Sequence, residues 1–194
     1  MARCYSEAMP KRQSALPTVW PEVWLVSDAR NDAALEAALA RLPRGSGLIY
    51  RHHHLPPAER RVRFERLAAL ARRRSHWLIL AGSIANARAW RADGAYGSPA
   101  ALASGPAGMR LVTAHSLREI AAARRARADA ILLSPVFATR SHPGGRWLGP
   151  LRFRQLARRT DLPVIALGGM TRDRAQHLGS PAWAAIDGLI PKDS

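Results

Sequence analysis

The sequence predicts an α/β protein, a closed (β/α)8 (TIM) barrel that is short and ends in a truncated eighth helix. Three observations predict it. Apolar runs of four to six residues, such as WLILA, MRLVT, AILL and PVIAL, alternate with helical patterns such as SLREIAAARRARA and PLRFRQLARRT. Strand, loop, helix, strand is the rhythm of a parallel sheet. About eight such runs can be counted, the number a (β/α)8 barrel needs. Each run breaks into small, polar or glycine residues at its carboxyl end, where barrels and open α/β sheets place ligands. An open doubly wound sheet is the alternative, because 194 residues is short against the ~250 typical of such barrels.

The elements follow in order. Residues 1–18 mix charge, Ser and Pro without period and read as a loosely attached tail, leaving 19–194 as one barrel domain. Glu22 to Asp28 is the first strand. Asn31 is expected to cap the helix DAALEAALARL, which ends at Pro43 and Gly45. Gly47 to Tyr50 leads into the second strand, which runs out into Arg51, His52, His53 and His54. Pro56 and Pro57 open a long helix to about Arg74, as proline favours a helical first turn. Trp77 to Ala81 is the third strand, broken by Gly82 and Ser83 before a helix from Ile84 to Arg91. DGAYGS is the fourth and weakest strand, and Pro99 to Gly108 can carry only a stub of helix. Met109–Thr113, Ala130–Ser134 and Pro163–Leu167 are strands five to seven. Thr171 caps a helix that Gly179 stops, and Trp183–Ile186 is strand eight, after which little chain remains for a helix.

Composition narrows the function classes. The net charge is +16, almost all of it arginine, since Lys11 and Lys192 are the only lysines. The arginines are spread over successive helices, as in RRVRFERLAALARRR, and read as solvated outer faces rather than a nucleic-acid surface; their summed field would attract a phosphorylated small molecule. Cys4 is the single cysteine, which excludes a disulfide framework and a cysteine metal cluster. No apolar run approaches the ~20 residues of a membrane span, and the N-terminus has no signal-peptide core. A cytoplasmic protein without membrane partners is expected.

The residues able to carry chemistry fall at strand ends. His115, just past strand five, can exchange a proton near neutral pH, given an unperturbed pKa of about 6.5; the bland reading is a histidine at the start of the next helix. Ser134, Thr139 and Ser141, with Arg140 and His142 beside them, form a polar loop after strand six. Gly168 and Gly169 follow strand seven and precede a helix, so their backbone N–H groups can approach a phosphate, and Gly188 sits where the eighth loop would add donors. The His52-His53-His54 run invites a metal, since alternate residues of a strand share a face. It lacks acidic or cysteine partners for the three or four protein ligands zinc needs, so a solvated strand exit is expected, with one histidine or Arg51 at the mouth.

The stretches TAHSLREI, ADAILLSPVFATRSHPGG and LPVIALGGMT resemble corresponding stretches of the thiamine-phosphate synthase and thiazole tautomerase (TenI-like) superfamily. The likeness is specific over Met109 to Thr171, thinner from Val23 to Tyr96, and absent from the tail. It implies a (β/α)8 barrel binding a thiazole phosphate at the strand carboxyl ends, and a homodimer. In the synthase branch it implies joining a pyrimidine pyrophosphate to the thiazole phosphate, with magnesium held by aspartates after strands three and four. It also implies an arginine–lysine pair after strand two. Here Arg51 matches the arginine, but His53 stands at the lysine position. Ala81-Gly82 stands where an Asn-Asp pair is expected, Gly97-Ser98-Pro99 supplies no aspartate, and the threonine–any–threonine–lysine motif has become Thr139-Arg140-Ser141-His142.

A pyrophosphate leaving group concentrates charge that Mg²⁺ normally neutralises, so the missing carboxylates weigh against a synthase. The tautomerase branch moves a double bond by proton transfer without metal, and His115 occupies the place of its general acid/base. The first expectation is therefore a thiazole tautomerase. It would use His115 for proton transfer, Arg51, His53, Gly168, Gly169 and Gly188 for phosphate, and Ser134, Thr139 and Ser141 along the mouth. It would hold no metal or cofactor. The alternatives are a synthase with an altered magnesium site and a non-catalytic barrel that binds a phosphate ester.

Overall fold

The computed structural model describes residues 20–140 and 144–190. The N-terminal tail, Ser141, His142 and the last four residues lie outside that description. Eight parallel strands close into a barrel in sequence order: β1 (Val23–Val26), β2 (Gly47–Tyr50), β3 (Trp77–Ala81), β4 (Gly94–Gly97), β5 (Met109–Ala114), β6 (Ala130–Leu133), β7 (Val164–Leu167) and β8 (Trp183–Ala185). Closure is made by β8 pairing with β1, Trp183 opposite Val23. The open-sheet alternative is thereby excluded. Helices α1 (Leu35–Arg41), α2 (Pro57–Arg73), α3 (Ile84–Ala89), α4 (Pro99–Leu102), α5 (Leu117–Arg125), α6 (Gly149–Ala157) and α7 (Arg172–Leu178) alternate with the strands.

The period of two in each strand sorts the core into two layers. Trp24, Val26, Ile49, Ile79, Leu111, Leu132, Ile165 and Ala184 fill the barrel interior. Their neighbours Leu25, Leu48, Tyr50, Leu78, Leu80, Val112, Ile131, Leu133 and Ala166 face outward, against Phe64, Leu67, Ile120 and Phe153 of the helices. Burial on both faces is why these strands are almost continuously apolar. Gly47 is required by this packing: a Cβ there would lie 2.0 Å from the Trp24 ring. The Trp24 indole N–H is satisfied by Pro21 O at 2.8 Å. Two aspartates secure the opposite end from the mouth: Asp93 accepts from Leu78 N and Asp129 from Arg110 N, each at 2.8 Å.

Local signals place most elements. Pro57 occupies the first turn of α2, Ser83, Ser98, Ser116 and Thr171 cap α3, α4, α5 and α7, and Gly179 ends α7 in the left-handed conformation, φ 66°. One expected cap is corrected. Asp28, not Asn31, caps the first helical segment, a 3-10 turn at Ala29–Ala34 that leads into α1. Asn31 is buried: its Oδ1 accepts from Asp28 N at 2.8 Å, while Nδ2 donates to Val26 O at 3.0 Å and Ile186 O at 2.9 Å. It thus ties the carboxyl ends of β1 and β8 together. Among the described residues no helix follows β8. Instead Leu189 and Ile190 of a short turn pack on the outer core. No helix among the described residues is long and apolar enough to cross a membrane.

Candidate functional site

The carboxyl ends of the strands surround a cavity of about 590 Å³. Arg51, His115, Ser134, Thr139, Gly168, Gly169 and Gly188 all line it. Seven of the nine residues picked out from sequence are therefore brought together. His53 is exposed and is not among the lining residues, and Ser141 lies outside the described residues. Partial desolvation by the surrounding chain, then the charges of Arg60 and Arg51, lower the His53 pKa, so it is a poor substitute for a lysine cation. A second large hollow, between α5 and α6, is lined by Arg118, Arg152, Arg158 and Arg159. It lies between the helices and shares no lining residue with the cavity at the strand ends.

His115 follows β5 directly. Its backbone N–H donates to Glu119 Oε2 at 2.5 Å, within α5. Its ring Nδ1 lies 2.5 Å from Ser134 O at the end of β6. A carbonyl only accepts, so Nδ1 carries the hydrogen, and Nε2 is left as the basic lone-pair nitrogen. The ring is exposed at a cavity it helps line. That arrangement can accept or return a proton.

The glycines have a packing reason as well. The loop after β6 lies backbone to backbone on the loop after β7: Val136 N donates to Leu167 O at 2.9 Å and Phe137 N to Gly168 O at 3.0 Å. A Cβ on Gly168 (φ 99°) would fall 2.6 Å from Pro135 Cβ. One on Gly169 (φ 61°) would fall 2.4 Å from Ala138 O. On Gly188 it would meet Met170 O at 2.1 Å. The same missing side chains leave main chain bare at the cavity wall. Arg174 fastens this region, donating from Nη1 to Gly169 O at 2.5 Å and stacking over Phe137 at 4.8 Å.

The exit from β2 differs from the expected solvated histidine run. His52 is buried and stands at φ 38°. Its Nε2 lies 2.7 Å from Asp32 Oδ1 and its Nδ1 2.8 Å from Ser27 Oγ. Ser27 Oγ in turn accepts from Arg51 N at 2.8 Å. With the ring neutral these contacts run one way: Arg51 N–H to Ser27, Ser27 O–H to Nδ1, Nε2–H to Asp32. Burial, opposed by the Asp32 contact, lowers the His52 pKa, in accord with the neutral ring. The strand has ended at Tyr50, so the expected alternation does not apply: His52 is buried and His54 exposed, although their rings lie 4.9 Å apart. Among the described residues no group of three or more His, Cys, Asp or Glu is placed to hold a metal.

Sequence reasoning missed several mouth residues. Tyr96 and Thr113 line the cavity from the short β4 and from β5. The signal for Thr113 was a hydroxyl near the carboxyl end of a mostly apolar strand, MRLVTA. Asp187 lines it from the loop after β8. Asp28 stands beside Arg51 and Arg30. Burial works against its ionisation, yet hydrogen bonds and charge from Arg30, with Arg51 added, hold its carboxyl below the usual range.

Magnesium, the ion that the resemblance implies for a synthase, does not fit this donor set. The ends of β3 and β4 present Ala81, Gly82, Gly97 and Ser98. The Ala81 carbonyl is already taken by Arg60 Nη2 at 2.7 Å.

Comparison with known proteins agrees with this architecture. A family model described as thiamine monophosphate synthase matches residues 23–184. The thiamine biosynthesis bifunctional protein ThiM/ThiE of Symbiobacterium thermophilum is 33% identical over 178 residues, 86% of this chain and 36% of that protein. The chain thus spans about a third of that relative's length. The thiamine-phosphate synthase of Chloroflexus aurantiacus is 28% identical over 172 residues, 83% of this chain and 78% of that one. In structure, a thiamine phosphate pyrophosphorylase from Pyrococcus furiosus superposes with a TM-score of 0.70, covering 85% of each chain at 23% identity. These findings reverse the order of the two enzymatic expectations, favouring the synthase over the tautomerase. With the family match covering every strand from β1 to the middle of β8, this chain belongs to the thiamine monophosphate synthase family.

Proposed function

We propose that this barrel acts in thiamine biosynthesis as a thiamine-phosphate synthase, a transferase that joins a pyrimidine pyrophosphate to a thiazole phosphate and releases pyrophosphate. The observation that carries the reading is the family match across the whole barrel, 23–184, laid over a mouth that arginines line. In this reading the thiazole phosphate sits against the bare main chain at Gly168, Gly169 and Gly188. Arg51 and Arg140 face the pyrophosphate. Ser134 and Thr139 supply hydroxyls around the ring.

A second reading, thiazole tautomerase, is favoured by one specific observation. His115 is held by Ser134 O in the tautomer whose Nε2 is basic, and the chemistry of a proton shuttle asks for no metal.

One experiment separates them. The protein is incubated with both synthase substrates, and thiamine phosphate and pyrophosphate are quantified. In parallel, the thiazole phosphate tautomer alone is followed for proton exchange in deuterated buffer. Thiamine phosphate formation is the expected result. Exchange without condensation would replace the synthase by the tautomerase, and binding with neither product would reduce the barrel to a phosphate-ester binder.

A further inference from the structure

The carboxylates and arginines at the mouth form an alternating chain. Arg51 Nη2 lies 3.9 Å from Asp28 Oδ2, and Arg30 Nε lies 2.9 Å from Asp28 Oδ1. Arg30 Nη1 then lies 3.5 Å from Asp187 Oδ2, and Arg140 Nε lies 3.9 Å from the same oxygen. The series runs plus, minus, plus, minus, plus across the loops after β2, β1, β8 and β6. Each carboxylate is shared between two guanidinium groups, so its charge is already opposed by two cations before any ion approaches. The outer contacts, at 3.9 Å, are ion pairs without a hydrogen bond. Arg51 and Arg140 therefore keep N–H donors for a ligand, Arg51 from a half-buried position beside Asp28 and Arg140 from an exposed one beside Asp187.

A second observation lies at β3. Arg60 reaches from α2 to the strand ends, donating from Nε to Arg51 O at 2.8 Å and from Nη2 to Ala81 O at 2.7 Å. It is packed over Tyr50 and Trp90. A fixed cation thus stands at the strand end where a magnesium-binding mouth would need an anion. Two guanidinium groups on a developing pyrophosphate would supply charge neutralisation of the kind a bridging cation otherwise supplies.

We infer that this mouth holds the pyrophosphate end of its ligand on Arg51 and Arg140, positioned by Asp28 and Asp187, with no divalent cation bound by the protein. The inference rests on the reading of the mouth as a site for phosphorylated thiamine precursors, and it names how that site manages the anion.

The test is calorimetric titration of the full chain with inorganic pyrophosphate, and separately with thiazole phosphate, in excess EDTA and in excess magnesium. Pyrophosphate binds in EDTA at least as tightly as in magnesium. Arg51→Gln weakens it by roughly 10- to 100-fold, the span of a charge-assisted hydrogen-bonded contact. Arg140→Gln, at a more exposed position, weakens it less. Asp187→Asn leaves the insensitivity to magnesium intact, whereas loss of a metal ligand would change it. Circular dichroism melts confirm that each variant folds. Pyrophosphate binding that requires magnesium overturns the inference and leaves the transferase reading standing. So does an Arg51→Gln variant with wild-type affinity. Absence of pyrophosphate binding in both buffers overturns it too, and if thiazole phosphate also fails to bind, the functional reading falls with it.

Discussion

Replacing His52 tests how the β2 exit is held. The side chain is fully buried, stacked on Tyr50 at 4.8 Å, and bonded to Ser27 and Asp32 at 2.8 and 2.7 Å. His52→Ala leaves the buried Ser27 hydroxyl without its acceptor, a loss of about 1–3 kcal/mol. It also removes the ring from its stack, about 0.5–1.5 kcal/mol more. Asp32 keeps its contact to Arg63 Nε at 2.7 Å, so its loss is small. The expected destabilisation is about 2–4 kcal/mol, a large part of the ~5–15 that a domain possesses. His52→Asn, which tolerates a positive φ better than alanine, falls between. The pH dependence has a definite sign. The folded-state pKa lies below the ordinary 6.5, so the unfolded chain takes up the proton first as pH falls. The stabilisation from the neutral ring is full above about pH 6.5 and is lost as pH drops toward the folded value. Burial is the main cause of the lowering; of the titratable and charged groups that face the ring, Asp32 opposes it, and His54 and Arg63 add to it. Urea unfolding of wild type and both variants from pH 8 to pH 5, at constant ionic strength, measures it. The gap between wild type and variant narrows on acidification. A gap that widens would mean a charged His52 paired with Asp32, and a loss below about 1 kcal/mol at pH 8 would refute the relay.

Three other outcomes are expected. His115→Gln lowers thiazole proton exchange by roughly 10²–10⁴ if the tautomerase reading holds, with at most a small fall in melting temperature from loss of the Nδ1 hydrogen bond to Ser134 O; unchanged exchange removes His115 from the chemistry. Gly188→Ala places a Cβ 2.1 Å from Met170 O and lowers stability by about 1–3 kcal/mol while weakening thiazole phosphate binding. Unaltered thermal unfolding and affinity would contradict the loop packing described above. Gly47→Ala drives a methyl into the Trp24 ring at 2.0 Å, so a comparable or larger loss of stability and a shifted tryptophan emission are expected; a variant as stable as wild type would show that the barrel floor can relax.

Strand count, the alternation with helices and the gathering of His115, Ser134 and Gly168-Gly169 at one mouth were all legible in the sequence. Each rests on local signals: an apolar run of strand length, a serine or threonine cap, a proline at a helix start, a glycine at its end. In a parallel barrel those signals suffice to place a residue, because every strand's carboxyl end opens on the same face.

Contacts between distant parts of the chain were decided by tertiary structure alone. Nothing near Asn31 indicates that its amide bridges to Ile186, 155 positions away, and a capping residue was the natural local reading. The histidine run looked solvated because the partners of His52, Ser27 and Asp32, lie 25 and 20 positions earlier. Folding turned His52 inward and left His53 outside the mouth. The glycines after β7 and β8 were assigned to phosphate from spacing, whereas the fold also requires them because loops pack so closely there that a Cβ would clash. The charge arrangement is the clearest case. Composition showed an arginine-rich chain, but only closure of β8 on β1 brings Asp187 beside Arg30 and sets the alternating series across the mouth. Local propensity acts over a few residues and so can be read along the chain; ion pairs and close approaches depend on which strand ends become neighbours, and that is settled only when the barrel closes.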